Sequence, residues 1–453
     1  MPFRRFFERG KRDVEGPPES EASADMHDEN SELGEEVTDL DEVSDEPESV
    51  PEDAPTVSLR DRATGVIPLG ASTGSKRPSV LYGRDDADAP THFVRAFGCR
   101  VVDDLGDTYI DCTMALGTVA LGYAEPNVTR AVMQAVGEGN VCGLSDAREV
   151  EIAERLCEVI PCAETVQFLK TGAEAVAAAV RIARTYTNRD VVVGSGYFGW
   201  LDWSQNAAGV PEGVRRDFVS VPFDDVEALD RAATEAGSRL AAIVIEPVVE
   251  KLPSERWIAK ARRLCKELDA VLIFDEVKTG FRLRTGGYQE LSGVQPDLAA
   301  FGKAMSNGFP LSAVVGHKSV MDAARKTWIS STLASEGTAL AACGAVLDWH
   351  HQAEVCESLW STGKELREAV TAAISASGLE GVTVDGIDPM WLIRFDDETR
   401  QTRFLELAAR HGVLFKRGAY NYAALAHDED VIRDVEAAAS AACVDLRDEE
   451  RDA

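Results

Sequence analysis

Lysine is scarce in this sequence, and positive charge as a whole is in short supply. Of the 453 residues, 12 are lysine and 35 are arginine, whereas 78 are Asp or Glu, so the formal net charge is −31. A chain with so few cations lacks the basic patches that bind nucleic acid, which excludes that class of partner. An acidic, lysine-poor surface instead favours a protein that works in high salt, where carboxylates keep it soluble.

Metal-binding and membrane-spanning motifs are missing as well. The nine cysteines include no Cys-x-x-Cys pair. No apolar stretch approaches the roughly 20 residues that cross a bilayer, and the opening MPFRRFF lacks the apolar core of a signal peptide. We therefore expect free thiols, a cytoplasmic location, no metal site and no membrane partner.

Lysine and arginine are also absent from a long segment near the amino terminus. Residues 13–59 contain eighteen Asp or Glu and no Lys or Arg. Such a segment has too little apolar surface to offset its ordering entropy, so residues 1–57 are predicted to form an acidic disordered tail. The remaining length suits one large domain and a smaller one.

Short apolar runs alternate with helical patterns over the rest of the chain, which predicts an α/β fold. The predicted strands of the large domain cover residues 165–170, 191–193, 240–245, 270–274, 298–301 and 312–316. The predicted helices cover residues 127–138, 146–159, 172–186, 257–268 and about 340–375. A hairpin is expected over residues 100–111, and strands at 390–395 and 412–415 are expected in a smaller α+β domain.

Two of the predicted strands end in residues that can carry chemistry. Residues 270–274 are followed by the Asp275-Glu276 pair, and residues 298–301 are followed by Gly302 and Lys303. Because ligands of α/β proteins bind at the carboxyl ends of strands, these side chains are expected to meet. A lysine facing a carboxylate suits Schiff-base chemistry, and a strand-end lysine on the surface is the alternative interpretation.

Two stretches around these residues resemble a known family. IFDEVKTGFR, over residues 273–282, and PDLAAFGKAMSNGFPLSAVVG, over residues 296–316, are similar to class III pyridoxal-phosphate aminotransferases, particularly the branch of glutamate-1-semialdehyde 2,1-aminomutase. The resemblance extends over about residues 58–434. It implies a fold-type I transferase whose large, mostly parallel-sheet domain spans residues 116–339. The smaller α+β domain would combine the N-terminal segment 58–115 with the C-terminal segment 340–445.

The resemblance also implies pyridoxal 5'-phosphate as the cofactor and assigns roles around its ring. Lys303 would form the Schiff base and move the proton at the substrate Cα, while Asp275 would hold the protonated ring nitrogen. Tyr197 and Val277 would cover the two faces of the ring. Glu246, in the Glu-Pro motif of the family, is interpreted as scaffolding of the site.

The cofactor phosphate is expected at a turn from strand to helix. Thr171, Gly172 and Ala173 occupy that turn, where backbone amides and the helix dipole favour an anion. Ala173 stands where the family has a hydroxyl, which removes one hydrogen bond. Thr332 lies where the family reaches the phosphate of the neighbouring subunit, which implies a homodimer with shared active sites. On spacing alone Thr332 would be an ordinary loop hydroxyl.

Substrate selection departs from the aminomutase pattern. Lys76, followed by Arg77, stands where the aminomutase has an arginine that binds a carboxylate, and lysine is the poorer bidentate partner. Ala419 stands where the aminomutase has a glutamate that faces the substrate amine. We therefore predict an aminotransferase that moves an amino group between a small amine or amino acid and a carbonyl acceptor. An intramolecular aminomutase is the alternative, and a non-catalytic scaffold is a third hypothesis, motivated by Ala173 and by Phe198 in place of a histidine.

Overall fold

The computed structural model describes residues 58–452. The predicted acidic tail over residues 1–57 lies outside that range, so it stays a prediction. In the described part, strands are found at β1 Phe93–Phe97, β2 Arg100–Asp103, β3 Thr108–Asp111, β4 Thr165–Leu169, β5 Val191–Ser195, β6 Phe218–Ser220, β7 Leu240–Ile245, β8 Val271–Asp275, β9 Leu298–Phe301, β10 Ser312–Gly316, β11 Val382–Ile387, β12 Met390–Phe395, β13 Val413–Leu414 and β14 Asn421–Tyr422.

Helices connect and cover these strands. The α-helices are α1 Leu59–Val66, α2 Pro78–Leu81, α3 Met114–Gly117, α4 Pro126–Gly137, α5 Arg148–Val159, α6 Gly172–Thr187, α7 Glu212–Arg215, α8 Val226–Ala236, α9 Glu255–Glu267, α10 Tyr288–Ser292, α11 Lys318–Met321, α12 Gly337–Gln352, α13 Val355–Ser377, α14 Glu398–Arg410 and α15 Glu429–Asp452. Short 3-10 turns occur at Pro68–Gly70, Gly74–Lys76, Gly237–Arg239, Lys303–Ser306 and Asp322–Lys326.

A seven-stranded sheet forms the centre of the large part, in the order β4-β10-β9-β8-β7-β5-β6. Strands β9, β8, β7, β5 and β6 are mutually parallel, whereas β10 runs antiparallel to both β4 and β9. Every residue of β5, β7, β8, β9 and β10 is buried. Continuous apolar strands of this kind require helices on both faces of the sheet.

Alternate residues of β7 face the two layers of helices. Ala242 and Val244 pack in one cluster with α6, whereas Ile243 and Ile245 pack in a second cluster with α9. Successive side chains of a strand point to opposite faces, so a fully apolar β7 supplies both cores at once. This double packing holds β7 between two layers of helices.

Two smaller sheets complete the fold, and one of them joins the beginning and the end of the described chain. One has the order β1-β2-β3-β13, in which β13 pairs parallel with β3, and the other has the order β11-β12-β14. The prediction of an α/β fold with a large, mostly parallel sheet and a smaller α+β part from both chain ends is confirmed. Within residues 58–452, no helix combines the length and apolarity needed to cross a bilayer.

Candidate active site

Lys303 lies immediately after β9, at the carboxyl edge of the parallel strands. Its backbone has a φ of 48°, in the left-handed region, and its side chain lines a cavity of about 330 Å³. Burial lowers the pKa of the Lys303 amine, and the charge of Lys278 lowers it further. A depressed pKa favours the neutral amine that a nucleophile or a proton carrier requires.

Asp275 is the last residue of β8, the strand next to β9, and lines the same cavity. Its carboxylate is buried and accepts a hydrogen bond from the backbone N–H of Val277 at 3.1 Å. Burial raises the pKa of Asp275, and the nearby Glu246 carboxylate raises it further. A cationic partner in the cavity would therefore be needed to keep Asp275 ionised.

Glu246 follows β7 and forms a buried ion pair with Lys278. The Lys278 Nζ lies 2.6 Å from Glu246 Oε1, with side-chain exposures of 8% and 12%. The other carboxylate oxygen, Oε2, accepts a hydrogen bond from the Tyr197 backbone N–H at 2.9 Å. Burial disfavours the charge of Lys278, but Glu246 and the Tyr420 and Tyr422 hydroxyls outweigh burial and raise its pKa.

The amino terminus of α6 forms another wall of the cavity. Thr171 is the N-cap, and it exchanges hydrogen bonds with Glu174 in a capping box. Gly172 and Ala173 line the cavity with first-turn amides, which have no acceptor within the helix. A Cβ on Gly172 would lie 2.7 Å from Val277 Cγ1, so only glycine lets this turn approach Val277 so closely.

Tyr197 and Phe198 follow β5 and line the same cavity, but they differ in their surroundings. Tyr197 is 68% exposed, whereas Phe198 is buried and stacks on Trp203 with ring centroids 5.8 Å apart. Phe198 is therefore anchored in the core, where a histidine would need a polar partner. Tyr197 and Val277 both reach the cavity, as a pair of ring-covering side chains would have to do.

The structure brings Gly172, Ala173, Tyr197, Glu246, Asp275, Val277 and Lys303 together around one cavity. It does not bring the other predicted residues to that cavity. Lys76 lines a separate cavity of about 210 Å³, and Arg77 donates through Nε to the Ala71 carbonyl at 3.4 Å. Ala419 is half-buried and Thr332 is exposed. The Thr171 hydroxyl is engaged as the helix cap.

Two lysines on the cavity wall were not anticipated from the sequence. Lys278 stands in the same DEVK stretch as Asp275, and Lys170 follows β4 directly. Lys170 pairs with Glu336 through Nζ and Oε1 at 2.8 Å. The sequence did contain an indication for Lys278. A lysine so close to the end of a buried strand is rarely left in solvent, so it could have been predicted to line the site.

Comparisons with known proteins agree with this geometry. The model of the family "Aminotransferase class-III" matches residues 81–427. The chain is 36% identical over 341 residues to the 2'-deamino-2'-hydroxyneamine transaminase of Streptomyces kanamyceticus, covering 74% of this chain and 86% of that protein. It is 30% identical over 424 residues to the glutamate-1-semialdehyde 2,1-aminomutase of Polynucleobacter necessarius subsp. necessarius, covering 84% and 96%.

A solved structure gives the same result. The internal aldimine form of the FumI protein from Sphingopyxis sp. MTA144, which holds pyridoxal phosphate, superimposes with a TM-score of 0.82. The two share 26% sequence identity, and the match covers 87% of this chain and 96% of that one. The fold-type I prediction is thereby confirmed.

The cavity offers the groups that pyridoxal 5'-phosphate requires. It combines the Lys303 amine for the aldehyde, the buried Asp275 carboxylate for the ring nitrogen, and the free amides of α6 for the phosphate. Pyridoxal 5'-phosphate is the cofactor of this chain, and the prediction of an aminotransferase-type enzyme is confirmed. From the residues matched, the fold and this set of groups, the chain belongs to the class III aminotransferases.

Proposed function

We propose that this enzyme is a transaminase that exchanges an amino group between two molecules, a small amine or amino acid and a carbonyl acceptor. The observation that carries the proposal is the composition of the cavity wall. Among residues 58–452, the residues that line the Lys303 cavity include three lysines but no arginine. An enzyme that must retain its intermediate needs a firm carboxylate clamp, and arginine forms the bidentate pairs that supply one.

The predicted substrate residues support the same conclusion. Lys76, at the position of the aminomutase arginine, lines a different cavity, and Arg77 is engaged with a backbone carbonyl. Ala419 brings no charge to the position of the aminomutase glutamate. A site without these groups releases the keto product more readily, so that a second carbonyl compound can enter.

We assign the chemical steps to the two residues at the strand ends. Bound pyridoxal phosphate supplies an electron sink for the pair of electrons left at the substrate Cα. Lys303 Nζ would take the proton from that Cα and hold it for return to the bound substrate and cofactor. The Asp275 carboxylate holds a proton on the ring nitrogen, and this interaction stabilises its own ionised form.

The remaining predicted residues would position the cofactor. Tyr197 and Val277 confine the ring from two sides, and Thr171, Gly172 and Ala173 present the start of α6 to the phosphate. Glu246 keeps the strand end in place through the Tyr197 amide and Lys278. These roles follow from the resemblance and from the positions of the side chains.

We propose a homodimer in which Thr332 reaches the phosphate of the partner subunit. Thr332 is exposed, and two large apolar side chains close to it in the sequence are exposed too, namely Trp328 at 82% and Leu333 at 47%. Exposed apolar side chains of this size favour coverage by another protein surface. A site completed by the partner would make catalysis depend on assembly.

The similarity to glutamate-1-semialdehyde 2,1-aminomutases supports the second candidate, an intramolecular amino shift. The transaminase of Streptomyces kanamyceticus is a relative of higher identity, which agrees with two-substrate exchange. Both reactions would use Lys303 and Asp275. They differ in whether a second carbonyl substrate takes part.

The test incubates the loaded enzyme at molar salt with glutamate-1-semialdehyde alone. A second set of reactions contains a panel of amino donors together with keto acceptors. We expect new amine and new carbonyl products only in the two-substrate reactions. Rapid formation of 5-aminolevulinate without an acceptor, and no exchange between donor and acceptor, would overturn the proposal in favour of the aminomutase.

A further inference from the structure

Lys278 is a buried cation on the wall of the Lys303 cavity, and the reaction assigned above does not use it. It follows Val277, one turn beyond the end of β8. Its Nζ has two partners among residues 58–452: Glu246 Oε1 at 2.6 Å and the Tyr420 hydroxyl at 3.3 Å. An ammonium group has three N–H donors, so one donor is left over.

The surroundings of Lys278 restrict where that third donor can point. The Tyr420 ring lies 4.3 Å from Nζ, and the Tyr420 hydroxyl accepts a second hydrogen bond, from the Glu250 backbone N–H at 2.9 Å. Glu246 is itself fixed by the Tyr197 amide. Protein groups therefore hold the ammonium on two sides, and because Lys278 also lines the cavity, we infer that the third donor points into it.

We propose that Lys278 is a specificity-determining residue that donates its third N–H to an oxygen substituent of the substrate. The oxygen would be the carboxylate or hydroxyl oxygen carried next to the reacting carbon. The inference rests on the proposed function and adds the chemical class of molecule that the site prefers.

Because of the ion pair with Glu246, the substrate oxygen that Lys278 binds can be either neutral or negatively charged. Because Glu246 already balances the charge of Lys278, the third N–H requires a hydrogen-bond acceptor and not a full negative charge. A buried donor that is left without an acceptor is costly, so an amine that carries only a methyl group at that position should react poorly. Both hydroxyl-bearing and carboxylate-bearing substrates should satisfy it.

The experiment uses three amines that differ at one position: L-alanine, 2-aminopropan-1-ol and 2-aminopropane. They carry a carboxylate, a hydroxymethyl group and a methyl group on the same carbon. Each is mixed with the enzyme loaded with pyridoxal phosphate, and the second-order rate constant is taken from the loss of the visible absorbance band. The quantity compared is the ratio of the rate constants of the two oxygen-bearing amines to that of 2-aminopropane.

The variants separate recognition from packing and charge. Lys278→Met removes the donor, and Lys278→Met combined with Glu246→Gln removes it without leaving a carboxylate unpaired. Lys260→Met is the matched control, because Lys260 also pairs with a carboxylate, that of Asp230, and is 15% exposed, but it does not line the cavity. The position of the visible band is recorded for each loaded variant.

We expect the wild type and Lys260→Met to prefer both oxygen-bearing amines. Both Lys278 variants should lose about tenfold or more of that preference, the effect of a hydrogen bond to a charged group. An unchanged ratio overturns the inference, as does a wild type without preference or without reaction towards any of the three. An equal fall for all three amines with a shifted band would place Lys278 against the cofactor and overturn it too. If the ratio is unchanged but the enzyme still exchanges amino groups with other donors, the inference about Lys278 fails and the proposed function does not.

Discussion

The cavity lined by Lys303 and the cavity lined by Lys76 are built in different ways. The Lys303 cavity is assembled where β5, β7, β8 and β9 end and α6 begins, so its chemical groups lie within a few residues of a strand end or at the start of the helix. The Lys76 cavity is formed largely by loops and by the small sheet of β1 to β3, in which β1 is mostly exposed. The comparison teaches that the residues predicted for cofactor chemistry meet where strands end, whereas the residues predicted for substrate contact lie in loops away from that cavity.

The strongest test of this contrast removes the lysine after β9. Lys303→Ala should lower kcat by roughly 10²–10⁴-fold or more, since general acid–base catalysis alone supplies that much. Amino transfer is measured at saturating donor and acceptor, with circular dichroism as a control for folding. Activity above about a tenth of the wild-type value would mean that Lys170 or Lys278 performs the chemistry, and the comparison would fail.

Asp275→Ala is expected to have the next largest effect. Without the carboxylate the ring nitrogen loses its proton, and turnover should fall by about a hundredfold, as when one preorganised polar group is removed from an active site. The cofactor should still attach to Lys303, but with a shifted absorbance band. Normal turnover with an unshifted band would mean that the residue only shapes the end of β8.

The neighbouring carboxylate, Glu276, provides a test of stability at the same strand end. It is buried and accepts hydrogen bonds from the Thr279 hydroxyl and from the backbone N–H groups of Tyr288 and Gln289. Burial is the main cause that raises the pKa of Glu276 from 4.5 to about 7. The protonated form is therefore favoured in the folded state, and its contribution to stability is present below about pH 4.5 and is lost as the pH rises to about 7.

Glu276→Gln should remove this titration. Between about pH 4.5 and pH 7, the unfolding free energy of the wild type should fall by about 3 kcal/mol relative to the variant. Urea unfolding at several pH values measures the difference. Parallel pH profiles for the two proteins would contradict the prediction.

The smallest effect is expected at the loop-built cavity. Because Lys76 is exposed and lines another cavity, Lys76→Met should change kcat/KM for amino donors by less than about threefold, the range of a surface substitution. Steady-state kinetics with a carboxylate-bearing donor checks this. A loss of tenfold or more would show that the loop closes onto the Lys303 cavity during turnover, which would remove the distinction between the two regions.

The sequence was informative wherever an element is a continuous apolar run. The predicted ranges 240–245, 298–301 and 390–395 coincide with β7, β9 and β12, each of which is made mainly of consecutive buried apolar residues. The predicted strand at 412–415 shortens to β13, Val413–Leu414, where the backbone of Lys416 turns to bond the Asn421 side chain.

Other elements were not predicted, because their sequences show too little apolar periodicity. Strand β1 is mostly exposed and has no alternating pattern, and β11 alternates between partly buried and exposed residues with little apolar contrast. Helix α15 buries a face made mainly of alanine and valine, so its 3.6-residue period is faint beside its many charges. Pairing with distant strands and helices determines these elements.

The residues of the candidate site also differ in whether the local sequence could predict them. Lys303 and Asp275 could be predicted as site residues because each stands at the end of a short apolar run, and the structure places both on one cavity. Lys278 was not predicted to line the site, because its position there depends on residues far away in the sequence. Its ion-pair partner Glu246 follows another strand, and Tyr420 lies 142 residues further along the chain. A local pattern cannot reveal that a lysine will be held between a carboxylate and a ring.

The left-handed backbone of Lys303 has a consequence for the evolution of this enzyme. A φ of 48° suits glycine and costs another residue about 1–2 kcal/mol. Between two inactive variants, Lys303→Gly should therefore unfold at a higher temperature than Lys303→Ala, which thermal denaturation can compare. The predicted Schiff-base lysine thus occupies a position where glycine would make the chain more stable, so substitutions selected for stability alone would favour its loss.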